Sequence, residues 1–176
     1  MATPDVTAPP DSFDLEVQTL IIGAGACGLV AALAAYEAGQ DVLLIEADPV
    51  PSGSTALSAG LIPAPGTRFQ SDADIDDTPD LFAQDIQAKA HGENDPDLVQ
   101  VMADTAGPVI EWLADTHALP FSLVTDFDYP GHSRRRMHGL PSRSGRELID
   151  ALRTRVEALD IPLICDRRAT RLFAQG

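Results

Sequence analysis

The sequence predicts an α/β fold built around a parallel β-sheet, with a helical excursion between the sheet elements. Two short apolar segments, residues 17–22 and 41–46, flank a segment at residues 26–38 that is rich in Ala and Leu. Two buried strands around one helix form a βαβ unit, and such a unit requires parallel strands. The 176 residues, 44% of them hydrophobic, suffice to bury the core of one domain, which excludes a wholly disordered chain.

Helix signals dominate the middle of the chain. After a Pro-, Gly- and Ser-rich loop at residues 47–67 and an acidic linker at residues 68–77, Thr78 and Asp95 each precede a Pro. This pairing predicts an N-cap followed by the first helical residue, so we expect two helices here. Gly107-Pro108 is expected to break or kink the second one.

The last third of the chain returns to the sheet. Residues 120–141 are expected to form an irregular loop. Ser144 and Glu147 have the spacing of a capping box ahead of an amphipathic helix, and two short strands are predicted at residues 161–165 and 169–173.

Charge restricts the classes of partner. Lys and Arg total 12 against 27 Asp and Glu, a formal net charge of −15, although ten Arg lie from Gly131 onward. Because so acidic a chain repels phosphate groups, we expect neither a nucleic-acid nor a membrane partner. The uncharged residues 20–36 contain three glycines and follow no basic residue, which argues against a membrane span or signal peptide. Cys27 and Cys165 lack metal-ligand spacing, so we predict no metal site and a reducing, cytoplasmic location.

A glycine-rich turn carries the strongest functional signal. Gly23, Gly25 and Gly28 form a G-x-G-x-x-G pattern between the first predicted strand and its helix, and the acidic Glu46 ends the next strand. This is the context of a dinucleotide fingerprint, in which the glycines admit a pyrophosphate and the acid accepts hydrogen bonds from the ribose. A carboxylate at that position repels a 2′-phosphate and disfavours NADP. A glycine-rich turn that binds nothing is the alternative.

The next loop favours FAD over NAD. Ser52-Gly53-Ser54-Thr55 and Ser58-Ala59-Gly60 follow Glu46 closely. Together with residues 21–38 and 42–46, they resemble the FAD domain of the fumarate reductase/succinate dehydrogenase flavoprotein superfamily, which includes L-aspartate oxidases and 3-ketosteroid dehydrogenases. The resemblance covers residues 15–176. An ordinary Pro-, Gly- and Ser-rich loop remains the alternative.

The resemblance implies a Rossmann-type FAD-binding domain and a set of cofactor contacts. Residues 1–13 are rich in Pro and acidic residues, so they are predicted to be a disordered leader. The rest of the chain is divided into an FAD-binding βαβ unit with the flavin loop (14–67), a helical excursion (68–135) and a return segment (136–176). Small residues suit a loop that lies along a flat flavin ring. The implied cofactor-binding residues are Gly23, Gly25, Ala26, Cys27, Gly28, Glu46, Ala47, Gly53, Ser54, Thr55, Ser58, Ala59, Gly60 and Ala169.

Two departures from the family pattern matter. Ser52 stands where the family usually has a glycine, so the loop is expected to be slightly displaced. Ser54 stands where membrane-bound succinate dehydrogenases have the His that bonds to the flavin, so the resemblance implies noncovalent FAD. Family members place their catalytic Arg and His residues in segments beyond this chain. We therefore expect no catalytic residue here, an apparently truncated chain, and a missing C-terminal half.

Other side chains have two interpretations each. The basic residues 132–138 could bind a dicarboxylate, but a solvated turn that pairs with the protein's own acidic surface is favoured. Cys27, at a predicted helix N-terminus, is either a reactive thiol or a small residue beneath a nucleotide, and the second is favoured. Trp112 and Leu113 are interpreted as core residues.

The function implied by the resemblance is hydride transfer between flavin N5 and a C–C bond next to a carbonyl or carboxylate of a small-molecule substrate. Two alternatives remain. One is a noncatalytic nucleotide-binding fragment that needs another chain, and the other is an NAD-dependent dehydrogenase with an unusual loop.

Overall fold

The computed structural model describes residues 6–8 and 10–174, which divide into two compact units. Unit 1 comprises residues 1–57 and 148–176, and unit 2 comprises residues 58–147. The leader predicted over residues 1–13 lies partly outside the described residues. The elements, in chain order, are β1 (Val6–Thr7), β2 (Thr19–Ile22), α1 (Ala26–Glu37), β3 (Val42–Ile45), α2 (Gly53–Ala56), β4 (Ile62–Pro63), α3 (Arg68–Ser71), α4 (Pro79–Lys89), α5 (Pro96–Asp115), β5 (Ser122–Leu123), β6 (Met137–Gly139), α6 (Gly145–Ala158), β7 (Leu163–Ile164) and β8 (Leu172–Phe173).

A parallel sheet forms the centre of unit 1. Its strand order is β2-β3-β7, and the register aligns Ile22 with Ile45 and Ile45 with Ile164. The predicted βαβ unit and its parallel sheet are therefore confirmed. The predicted strand at residues 169–173 is shorter than expected, because only its last part, β8, pairs, and it pairs in parallel with β1.

Two helices and strand β3 contribute to the core of unit 1, the strand through Val42, Leu43 and Leu44. On α1, Leu29, Ala32 and Leu33 are buried, and the helix gives way to Gly39, whose φ is +76°. Such a positive φ favours glycine, which explains why the helix ends there. The amphipathic α6 contributes buried aliphatic residues from the part of the helix that belongs to this unit: Leu148, Ile149, Leu152 and Val156.

The two helices predicted in the middle of the chain are confirmed in unit 2. Thr78 Oγ1 accepts a hydrogen bond from the Leu81 N–H at 3.2 Å, and Asp95 Oδ1 accepts one from the Asp97 N–H at 2.9 Å. Both side chains therefore act as the expected N-caps, each with Pro inside the first turn.

The break expected at Gly107-Pro108 is wrong, because α5 continues through both residues to Asp115. Pro108 cannot donate to the Asp104 carbonyl, but both residues are exposed, so water can satisfy that carbonyl. Gly107 is buried, and a Cβ atom there would come within 2.5 Å of the Pro65 carbonyl oxygen. The Gly-Pro pair therefore permits close packing inside a continuous helix.

Two further expectations about unit 2 are corrected. The acidic linker at residues 68–77 begins with the helical turn α3, which a Thr67–Gln70 capping box starts. The loop expected at residues 120–141 contains β5 and β6, which form an antiparallel sheet with β4 in the order β4-β6-β5. Strands of two or three residues are too short to show the alternation of apolar and polar residues by which a strand is predicted from sequence. Among the described residues, no helix combines the length and apolarity needed to cross a membrane.

Candidate nucleotide-binding site

The glycine-rich turn joins β2 to α1, and two of its glycines shape it. Gly23 has a φ of +100°, which favours glycine, and its N–H donates to the Ile45 carbonyl at 2.8 Å. A Cβ atom on Gly28 would overlap the carbonyl oxygen of Gly23 and lie 3.3 Å from Cγ2 of Ile21, so glycine lets α1 pack closely on β2. Beside Gly25, a Cβ atom would meet nothing within 4 Å, so free space adjoins the start of α1.

The N-terminus of α1 presents backbone donors to this space. Its N-cap, Gly25, provides no capping side chain, and no acidic residue occupies the first turn. The Ala26 N–H donates to Oγ1 of Thr55 at 3.4 Å, which brings the α2 turn against the end of α1. Helix N-termini carry unpaired N–H groups and the positive end of the dipole, so this arrangement suits a phosphate group.

Glu46, directly after β3, is tied to the turn. Its Oε2 accepts a hydrogen bond from the Ala24 N–H at 2.7 Å, and its Oε1 accepts one from the Asp48 N–H at 3.0 Å. Partial burial raises the pKa of Glu46, but these backbone N–H groups and the charge of Arg168 outweigh that effect and lower its pKa below the usual value. The carboxylate is therefore ionised at neutral pH, and each oxygen retains acceptor capacity for a hydroxyl group.

The segment after β7 lies beside Glu46. The N–H of Arg167 donates to the Glu46 carbonyl at 2.8 Å, which places the predicted contact Ala169 two residues further along the same segment. Arg168 is close enough to lower the pKa of Glu46, and the sequence analysis did not single it out. The signal for it is an Arg pair that begins two positions after the predicted strand at residues 161–165.

The other predicted contacts of unit 1 sit at its surface. Cys27, Gly53 and Ser54 are exposed, and Ala47 is half-buried. Gly53 has a φ of +54°, which explains the glycine at the start of α2. The exposure of Cys27 leaves its two interpretations open.

Unit 2 holds the remaining predicted contacts, Ser58, Ala59 and Gly60. Gly60 is buried with a φ of +62°, and a Cβ atom there would lie 2.7 Å from the carbonyl group of Ser144. The Gly145 N–H also donates to the Ser58 carbonyl at 2.9 Å. Residues 58–60 are thus held against the start of α6, while Ser58 and Ala59 stay exposed and border a cavity of about 330 Å³.

The basic loop at residues 132–138 is largely neutralised within the protein. Arg135 pairs with Asp128 at 2.7 Å in an exposed ion pair, as the favoured interpretation expects. Arg136 is different, because it is fully buried and donates to Asp77 and Asp85. A wholly solvated basic turn is therefore wrong for Arg136.

The partners of Arg136 form a buried network. Its Nε and Nη2 each donate to Asp77 at 2.8 Å, and its Nη1 donates to Asp85 at 2.5 Å. Gln70 Nε2 donates to Asp77 at 2.9 Å, and the Arg136 guanidinium lies 4.8 Å from the centre of the Phe82 ring. The sequence alone does not predict this network, since its acidic members lie in a linker and a helix that carry many other acidic residues.

His138 is buried beside that network. Its Nδ1 lies 2.9 Å from the Arg136 carbonyl oxygen and its Nε2 lies 2.9 Å from Thr67 Oγ1. Burial lowers the pKa of His138, although the bond to Arg136 acts in the opposite direction. A neutral ring that donates from Nδ1 and accepts at Nε2 satisfies both partners.

The two residues interpreted as core differ in burial. Leu113 is buried, as expected. Trp112 is half-buried, and its ring packs edge-on against the ring of His117 at a centroid distance of 4.5 Å.

Comparison with known proteins identifies the family. The FAD binding domain family matches residues 18–176. The chain belongs to this family. Within the fumarate reductase/succinate dehydrogenase flavoprotein superfamily, its relatives include urocanate reductase of Eggerthella lenta, 32% identical over 160 residues that make up 91% of this chain and 26% of that protein. NADH:fumarate oxidoreductase of Klebsiella pneumoniae is 30% identical over 171 residues, 96% of this chain and 18% of that protein.

Solved structures of the superfamily share the fold. The open form of a flavocytochrome c3 fumarate reductase has a TM-score of 0.77 at 30% identity and covers 85% of this chain and 26% of its own. A 3-ketosteroid-Δ4-(5α)-dehydrogenase of Rhodococcus jostii has the same TM-score at 22% identity, over 94% of this chain and 41% of its own. The cofactor of this FAD binding domain is FAD. The chain spans about a quarter of the length of the urocanate reductase that it matches.

Proposed function

We propose that this chain is the FAD-binding portion of a flavin-dependent oxidoreductase of the fumarate reductase/succinate dehydrogenase type. The observation that carries the proposal is the hydrogen bond between the Glu46 carboxylate and the Ala24 N–H, which fixes an ionised acid beside an open glycine-rich turn. Bound FAD would supply hydride exchange between its N5 and a C–C bond next to a carbonyl or carboxylate.

The residues of unit 1 fit the adenosine and pyrophosphate parts of this cofactor. Glu46 accepts the ribose hydroxyls, and the open space beside Gly25 admits the pyrophosphate to the N–H groups of α1. The Thr55 hydroxyl accepts a hydrogen bond from the first N–H of α1 and so lies beside this end of the helix. The remaining proposed contacts are Gly23, Ala26, Cys27, Gly28, Ala47, Gly53, Ser54 and Ala169, with Ser58, Ala59 and Gly60 from unit 2.

The substrate in this proposal is a small molecule with a carboxylate or a ketone. The names of the relatives include fumarate and urocanate reductases, and one structural neighbour is a ketosteroid dehydrogenase. Hydride transfer also needs groups that hold the substrate and an acid or base at the adjacent carbon. Among the described residues, no cavity combines groups that hold the substrate with such an acid or base. We therefore propose that the isolated chain binds FAD without turnover, and that another polypeptide segment completes the active site.

Cofactor selectivity tests the proposal. Titration of the purified chain with FAD, followed by quenching of flavin fluorescence, is compared with titration with NAD. The proposal expects FAD to bind more tightly, and preferential NAD binding would refute it in favour of a nicotinamide-dependent dehydrogenase. A turnover screen with fumarate, succinate, aspartate and a ketosteroid, using dye acceptors or donors, tests the inactivity of the isolated chain, and rates above free flavin would contradict it.

A further inference from the structure

His132 has an incomplete set of contacts inside unit 2. Its Nδ1 is buried and, within the described residues, has no hydrogen-bond partner. Its ring lies 4.9 Å from the Tyr129 ring and 5.7 Å from the Phe82 ring, measured between centroids. These contacts hold the ring in place, and His132 is among the residues that line three cavities of about 400, 330 and 220 Å³.

The charged neighbours of His132 are already engaged. Asp85 accepts hydrogen bonds at 2.8 Å from both the backbone N–H and the hydroxyl of Ser133. Lys89 donates to the Pro130 carbonyl, and Arg134 donates through Nε to the Asp76 carbonyl at 3.0 Å. Arg135 and Arg136 also form ion pairs within the protein. Because the cationic side chains of this loop already bind protein groups, they do not favour a carboxylate ligand.

The 330 Å³ cavity is predominantly apolar. His132 shares its walls with one hydroxyl-bearing serine, one tyrosine and four apolar residues, and no Lys or Arg is among them: Ser58, Ala59, Leu61, Pro63, Tyr129 and Met137. A ligand carboxylate in this space would have no adjacent countercharge, and its desolvation would be costly. An uncharged ligand with an apolar body and one polar acceptor matches this lining.

The protonation of His132 fits such a ligand. Burial, followed by the charges of Arg136 and Lys89, lowers the pKa of His132 more than Asp85 and Asp77 raise it. The ring is therefore neutral at pH 7. We assign the single proton of the neutral ring to Nε2. The buried Nδ1 is then an acceptor without a partner among the described residues, and the Nε2–H can donate a hydrogen bond to a ligand.

We propose that His132 is a specificity-determining residue whose Nε2–H donates a hydrogen bond to the carbonyl oxygen of an uncharged, largely apolar ligand in this cavity. The inference rests on the proposed function, because the cavity borders the proposed flavin contacts Ser58 and Ala59. It narrows the proposed substrate class from carboxylates or ketones to ketones. It also assigns substrate recognition to His132 rather than to the arginines of residues 132–138.

Binding of 2-cyclohexen-1-one to the full FAD-loaded chain tests this inference, with fumarate as the dianionic comparison. We expect the ketone to bind in preference to fumarate, and its C=O stretching frequency to fall on binding, as a hydrogen bond to the oxygen requires. His132→Phe keeps a ring but removes the donor, so ketone affinity should fall about fivefold and the frequency shift should vanish. His132→Gln restores a donor and should recover the shift. Arg134→Gln, a charge change in the same loop, is the matched control and should leave both readouts unchanged.

Three outcomes would overturn the inference: absence of ketone binding to the wild-type chain, ketone binding with a shift that survives in His132→Phe, or tighter binding of fumarate that Arg134→Gln abolishes. The same titrations on the FAD-free chain separate this inference from the proposed function, since all the lining residues lie within unit 2. Loss of FAD binding with retained ketone recognition refutes only the proposed function. FAD binding without ketone recognition refutes only the role of His132.

Discussion

Arg136 and Asp77, 59 residues apart in the sequence, meet in a bidentate ion pair in which both side chains are fully buried. Both N–O distances are 2.8 Å. Asp85 and Gln70 extend the pair, so helix α3, the segment before α4, helix α4 and the residue before β6 share one polar centre within unit 2. A buried charge without its partner costs folding free energy, so removal of either residue should destabilise this unit.

Asp77→Ala should therefore destabilise the protein by about 3 kcal/mol, the lower end for breaking a buried pair, because Asp85 still contacts Arg136. Urea unfolding followed by circular dichroism measures the loss. Asp128→Ala is the matched control, since it breaks the exposed Arg135 pair and should leave the unfolding midpoint nearly unchanged. Equal effects of the two substitutions would show that burial does not set the strength of the Arg136 pair.

Glu46→Ala should weaken FAD binding by about 10- to 100-fold, because it removes charge-assisted hydrogen bonds worth about 1.5–3 kcal/mol. Flavin fluorescence titration measures the affinity. Glu46→Gln retains one oxygen acceptor for the Ala24 N–H and should fall between wild type and the alanine variant. Glu16→Ala, which changes an exposed acid elsewhere in unit 1, is the control. An unchanged affinity in Glu46→Ala would contradict the proposed ribose contact.

The flavin should be noncovalent, because position 54 is an exposed Ser with no imidazole to bond to the ring. Acid precipitation of the FAD-loaded chain should leave the yellow colour in the supernatant, and the mass of the polypeptide should equal that of the sequence. Flavin fluorescence that travels with the denatured chain, together with a matching increase in mass, would disprove this prediction.

Stability should fall as the pH drops below about 6.5, in part through His138. Burial lowers the pKa of His138 in the folded state, so the unfolded chain takes up a proton first as the pH falls. The contribution of the neutral ring is present above the unfolded pKa and is lost between that value and the lower folded pKa. Urea unfolding at pH 7.5, 6.0 and 5.0 should show a shallower pH dependence for His138→Asn than for wild type. The exposed His91, changed to Asn, should keep the wild-type slope. Parallel slopes for wild type and His138→Asn would exclude this role.

Local patterns in the sequence determined the βαβ unit, the N-caps Thr78 and Asp95 and the likeness to FAD-binding flavoproteins. The capping box predicted from Ser144 and Glu147 is wrong, because the Glu147 carboxylate accepts its hydrogen bonds from Ser142 instead. Gly23 and Gly28 lie five residues apart, and Thr78 caps an N–H three residues away, so each signal is contained in a short segment. Glu46 was predictable as well, because the end of a strand that follows such a turn has a defined place in a parallel sheet.

Only the tertiary structure decided which charges are buried and whether α5 continues through Pro108. Arg136 looked like its neighbours in a basic run, and its burial depends on Asp77 and Asp85, which lie 59 and 51 residues away. The continuity of α5 at Pro108 likewise depends on the exposed positions of Asp104 and Pro108 and on packing of Gly107 against Pro65. The composition of a segment cannot report these contacts, because their energies arise from groups distant in the sequence that meet only when the chain is folded.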